Sequence, residues 1–147
     1  HLDKTLNTSW FQLGLNFPKW DFGLIYSYQI PDSYQSRLKY YERYVQPDEN
    51  GQVASFLFRY KIKNFALEFA YSKAFDTGRF LFPKELGRDQ FFTSLPRSRL
   101  EGFGNVDIIK VSVLFHHGKW SAHSDFSISN GVSEDDLKNT KYDTDAF

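Results

Sequence analysis

Residues 10–27 read WFQLGLNFPKWDFGLIYS. Folded back through a two-residue turn at Pro18-Lys19, this stretch pairs Phe17 with Trp20, Leu15 with Phe22, Leu13 with Leu24 and Phe11 with Tyr26. The opposite face pairs Asn16 with Asp21, Gly14 with Gly23, Gln12 with Ile25 and Trp10 with Ser27. Strand side chains alternate between faces, so one face is apolar and the other polar or small. The same reading fits twice more, around Lys63-Asn64 and His117-Gly118. In the second hairpin Ala54, Phe56, Phe58, Tyr60 and Ile62 continue into Phe65, Leu67, Phe69 and Tyr71 on the apolar face. In the third, Ile109, Val111, Val113 and Phe115 continue into Trp120, Ala122, Ser124, Phe126 and Ile128. Ser124 on the apolar face, and Ile25, Leu57 and Leu114 on the polar face, break the pattern.

These hairpins predict six strands at about 8–17, 20–30, 52–62, 65–74, 105–116 and 119–130. Each matches the roughly 9–11 residues of a tilted membrane-spanning strand. Between hairpins lie loops at 31–51, rich in Tyr and charge, at 75–104, the longest, and at 131–141, which is acidic. Short turns at one end and long loops at the other are the layout of an outer-membrane β-barrel. The fold class expected is therefore all-β, an antiparallel transmembrane barrel, with 1–147 one barrel segment. Six strands cannot close around a water-filled lumen, because the smallest such barrels use eight. Strands from further chain or from a partner protein are expected to complete it, in a barrel of about 16–18 strands. The stretch 142–147 reads like the start of another strand, so a partial chain is expected.

Composition agrees with that layout. The chain has 147 residues, with 18 basic and 18 acidic side chains, so no net charge draws it to nucleic acid. Aromatics reach 19%, yet mean hydropathy is −0.52. A wall that is apolar on one side, polar on the other and joined by wet loops reconciles the two. With no Cys, disulfides and thiolate metal sites are excluded. No run of about 20 apolar residues suits a membrane helix.

Aromatic placement adds a separate signal. Phe17, Trp20, Phe65, Phe115 and Trp120 fall beside the short turns on the apolar face, and Tyr26, Tyr28 and Tyr71 lie toward the other end. Such girdles mark the two boundaries between bilayer and water. Soluble barrels also alternate, but their cores do not sort aromatics by height.

The polar face supplies the candidate lumen-lining residues: Arg59, Lys61, Glu68, Lys110, His116, His123 and Asp125. The turns chosen set Arg59 opposite Glu68 and Lys110 opposite Asp125, and opposite charges at paired positions stabilise a sheet. Arg79, Arg88, Arg97 and Arg99 in the longest loop are candidates for a constriction, where guanidinium forks suit carboxylates or phosphates. No catalytic residues, metal site or cofactor are expected. Ser121, His123 and Asp125 alternate along one strand and make no nucleophile–base geometry, and adjacent His116 and His117 face opposite sides.

Residues 85–104, ELGRDQFFTSLPRSRLEGFG, followed by the strand from Val106, resemble outer-membrane porins of the OprD-like superfamily. The likeness is to a long loop and the strand after it. It implies a monomeric barrel of about 18 strands with a constriction and a basic track guiding small anionic or zwitterionic solutes. The expected function is thus a channel for passive diffusion of small polar or anionic solutes, in the outer membrane of a Gram-negative bacterium, surrounded by lipid and lipopolysaccharide. The alternatives are a non-transporting outer-membrane barrel that anchors or scaffolds protein partners, and a soluble β-barrel binding an apolar ligand.

Overall fold

β-branched and aromatic residues alternating with small or polar ones leave the chain little choice but extended pairing. The computed structural model describes residues 6–33, 35–39, 45–81, 90–95, 102 and 104–131. Among them are six strands: β1 (Leu6–Asn16), β2 (Trp20–Pro31), β3 (Gly51–Ile62), β4 (Phe65–Ala74), β5 (Val106–His117) and β6 (Trp120–Asn130). The strands form one antiparallel sheet in the order β1-β2-β3-β4-β5-β6, each pairing with its neighbour in sequence. Among the described residues the sheet is not closed, and β1 and β6 are its two edges. The only helical element among the described residues is a 3-10 turn at Gln35–Arg37. Strand ends differ from the sequence reading by at most two residues.

Two of the three turns stand where the sequence puts them. Asn16 pairs with Asp21, the Phe17 amide donates to the Trp20 carbonyl at 2.8 Å, and Ile62 pairs with Phe65. The third is displaced by one residue. Gly118-Lys119, not His117-Gly118, forms the loop, and His117 pairs with Trp120. The cause is local. Gly118 has φ 57°, a left-handed value that glycine takes freely and that a hairpin turn needs at its first position. Every β5–β6 pair consequently moves by two residues. Lys110 stands opposite Ser127, and Asp125 opposite Ser112. The expected Lys110–Asp125 pair is thereby corrected, yet both residues keep their face because a shift of two preserves strand parity.

The two faces are sharply different. Leu15, Phe22, Phe58, Phe69, Val111 and Phe126 form one cross-strand row on the apolar face. Most of that face is open: Phe69, Val111 and Val113 are 41–44% exposed and Phe126 is 65% exposed. What is buried is the polar face. Ser27, Gln29, Ser55, Ser72 and Ser112 are all within 1% of complete burial.

The cover comes from the β4–β5 connection. Its described parts, 75–81 and 90–95, lie across the polar face at the long-loop end. Phe80 and Phe91 join Ile25, Val53, Ala74, Val106 and Ile108 in a small apolar core, with Phe92 packed against it. Ile25, an anomaly in the alternation, is thus the floor on which the connection rests.

Candidate functional site

Polar pegs hold this connection to the wall. Gln29 on β2 donates from Nε2 to the Leu81 carbonyl at 2.6 Å and accepts the Leu81 amide on Oε1 at 2.8 Å. On β3 and β4, the Ser55 and Ser72 hydroxyls stand 2.6 Å apart. The Phe92 amide donates to Ser55 Oγ at 3.1 Å, and Thr93 Oγ1 donates to Ser72 Oγ at 2.8 Å. The Phe91 ring lies 5.2 Å from that of Trp10 on β1. Small hydroxyls on the wall leave room for the segment and satisfy backbone groups that burial would otherwise strand.

Below that cover, one register row crosses all six strands: Asn16, Asp21, Arg59, Glu68, Ser112 and Asp125. Each stands one residue along its strand from a member of the apolar row, and so faces the other way. Arg59 donates Nε and Nη2 to Oε2 of Glu68 at 3.0 and 2.7 Å, the pair expected from sequence. Its Nη1 lies 3.7 Å from Asp21. Lys61 donates to Asp21 at 2.6 Å, and Lys110 stands 3.5 Å from Glu68 Oε1. Ser112 donates to Asp125 at 2.5 Å, and His123 Nε2 lies 3.0 Å from the same carboxylate. Lys61, Asp21, Arg59, Glu68 and Lys110 thus alternate in sign across four strands, and each carboxylate answers two cations. Charges withdrawn from water need this compensation.

Toward the short turns the polar face opens into a concavity of about 560 Å³. Its polar lining is Arg59, Lys61, Lys63, Asn64, His116, Ser121 and His123, and Phe65, Ala66, Leu114, Phe115 and Ala122 supply the apolar part. All seven candidate lumen-lining residues therefore sit on the same face, around the charge row and this concavity.

The loop arginines fare differently. Arg79 is 6% exposed, and its Nε and Nη2 donate to the two oxygens of Glu49 at 2.5 and 2.9 Å. Glu49 also accepts the Arg79 and Gln46 amides. Burial pushes the Glu49 carboxyl upward, but the bonds and charge of Arg79 outweigh it and hold the pKa below its ordinary value. Arg79 thus fastens the β4–β5 connection to the loop before β3. Arg88, Arg97 and Arg99 lie outside the described residues.

On the apolar face the Phe17 and Trp20 rings are 3.7 Å apart, those of Phe65 and Phe115 4.9 Å, and Trp120 is 78% exposed. Toward the long loops the tyrosines end in polar partners. Tyr26 donates its hydroxyl to Gln52, Tyr71 to Asp107, and Lys73 also binds Asp107. Tyr28 is half-buried beside them. Sequence reasoning missed Gln29, Ser55, Ser72 and Glu49, whose partners lie 17 to 52 positions away and leave no local signal.

Searches against protein families, curated proteins and solved structures find no match to this chain.

Proposed function

We propose that this chain is part of an outer-membrane β-barrel whose polar face lines a path for small polar solutes. The observation that carries the reading is the inversion of the sheet. Its large apolar side chains are exposed in a continuous band, and its charged row is on the face that the β4–β5 connection covers. In water, an apolar patch spanning six strands would be a severe aggregation hazard. In lipid it is the matching surface. The open edges of β1 and β6 cannot face hydrocarbon unpaired, so further strands complete the ring. The connection narrows the path as an inserted loop does, and the neutralised charge row braces the wall beneath it. The OprD-like likeness of residues 85–104 points the same way.

One observation favours the non-transporting alternative. Phe80, Phe91 and Phe92 fill the long-loop end of the polar face, and a fully filled lumen would make the barrel a scaffold or anchor.

Planar-bilayer recording on the reconstituted protein tests these readings. Stepwise conductance, with anion-to-cation permeability altered by Arg97→Ala and Arg99→Ala, supports the channel. Efficient bilayer incorporation without conductance supports the scaffold. A protein that remains monodisperse in water without detergent overturns both and restores the soluble barrel.

A further inference from the structure

Each short turn carries one lysine: Lys19 beside Pro18, Lys63 before Asn64, and Lys119 after Gly118. All three are exposed. Lys63 holds its place at φ 46°, a left-handed conformation that Asn or Gly would adopt at lower cost. Among the described residues of this rim there is no carboxylate. The nearest, Asp21, Glu68 and Asp125, sit in the charge row on the polar face and are held there by Lys61, Arg59, Lys110, Ser112 and His123. The opposite rim is mixed, with Asp107 on Lys73 and Glu49 on Arg79. Within two residues of the three lysines along the chain stand Phe17 and Trp20, whose rings pair, Phe65, whose ring pairs with that of Phe115, and exposed Trp120.

We propose that the short-turn rim is a docking surface for the headgroups of anionic glycerophospholipids. The inference rests on the membrane reading above. Aromatic rings at the edge of an apolar band sit at headgroup depth, and lysine stems run along such surfaces while the ammonium reaches the phosphate layer. Three ammonium groups spaced along one rim, with no carboxylate among them, match a ring of phosphodiesters carrying net negative charge. A zwitterionic headgroup offers its own cation in competition and fits less well. Each lysine near an anionic bilayer surface contributes roughly a fivefold preference at low salt.

The protein carries its own reporters. Trp20 and Trp120 lie on this rim, and Trp10→Phe removes the remaining indole. The variant is reconstituted in phosphatidylcholine vesicles containing either brominated phosphatidylcholine or brominated phosphatidylglycerol, and indole quenching reads which lipid sits against the rim. The expected result is quenching by the glycerol lipid at several-fold lower mole fraction, weakened by 0.5 M chloride and brought near parity in Lys19→Gln/Lys63→Asn/Lys119→Gln. Equal quenching by both lipids in the unsubstituted lysine background, or a preference insensitive to salt, overturns the proposal without touching the membrane reading. Failure to enter phosphatidylcholine vesicles at all overturns the membrane reading and the proposal with it. A preference abolished by inorganic phosphate, but not by chloride at equal ionic strength, assigns the rim to free phosphate and overturns the lipid assignment.

Discussion

The ring of Phe92 occupies the space where a side chain on Gly23 would be. A Cβ built at Gly23 meets Phe92 Cζ at 2.5 Å. The glycine in β2 is therefore the socket for the β4–β5 connection, which reaches it from far along the chain. Gly23→Ala should push the ring off the wall and cost about 1–3 kcal/mol, the usual range for overpacking. The double variant with Phe92→Leu should recover part of that loss, since contacting sites are not additive. Urea unfolding in detergent micelles measures both. Additive losses would show that the two residues do not meet.

Glu68 answers Arg59 and Lys110 from a position 8% exposed. Glu68→Gln leaves buried Lys110, and Arg59 at 36% side-chain exposure, facing a neutral amide; because water still reaches Arg59, the loss should be about 2 kcal/mol, below that for breaking a fully buried pair. Asp107→Asn removes the partner of Lys73 from a site where both side chains are about one-third exposed. That loss should be nearer 1 kcal/mol, because water already screens the pair. Equal unfolding penalties for the two variants would refute the description of Glu68 and Lys110 as withdrawn from solvent.

The Glu49–Arg79 latch should weaken in acid. The folded-state pKa of Glu49 lies below its ordinary 4.5 because the Arg79 interactions overcome the upward push of burial. A carboxylate depressed in the folded state binds protons more readily when unfolded. Its contribution is therefore fully present above about 4.5 and is lost as pH falls through the lower folded value. Unfolding midpoints of the wild type and Glu49→Gln, followed from pH 7 to pH 3, should differ by a constant amount and then converge in the acid range. A gap that stays constant to pH 3 would assign the cost of the variant to packing.

The β5–β6 register can be read by cross-linking, since the chain has no Cys of its own. Ser112→Cys/Asp125→Cys places thiols at directly paired positions and should oxidise to a disulfide. Lys110→Cys/Asp125→Cys places them two residues out of register, too far for strain-free bonding, and should not. The opposite result would restore the turn to His117-Gly118.

The alternation of residue types determined the six strands, their antiparallel order and the face each side chain takes. Period two is a property of the extended backbone, so it survives even where a turn is displaced, and Asp125 kept its face when its partner changed from Lys110 to Ser112. Arg59 and Glu68 were legible as partners because a two-residue turn at Lys63-Asn64 lets register be counted from one hairpin alone. Tertiary structure decided what no local pattern encodes. Ile25 looked like a flaw in the polar face until Phe80 and Phe91 packed beside it, and Gly23 acquired its purpose from Phe92. Arg79, read as a residue facing a water path, is buried on Glu49. Those contacts join positions dozens of residues apart, and their energy exists only once the connection has folded back onto the wall.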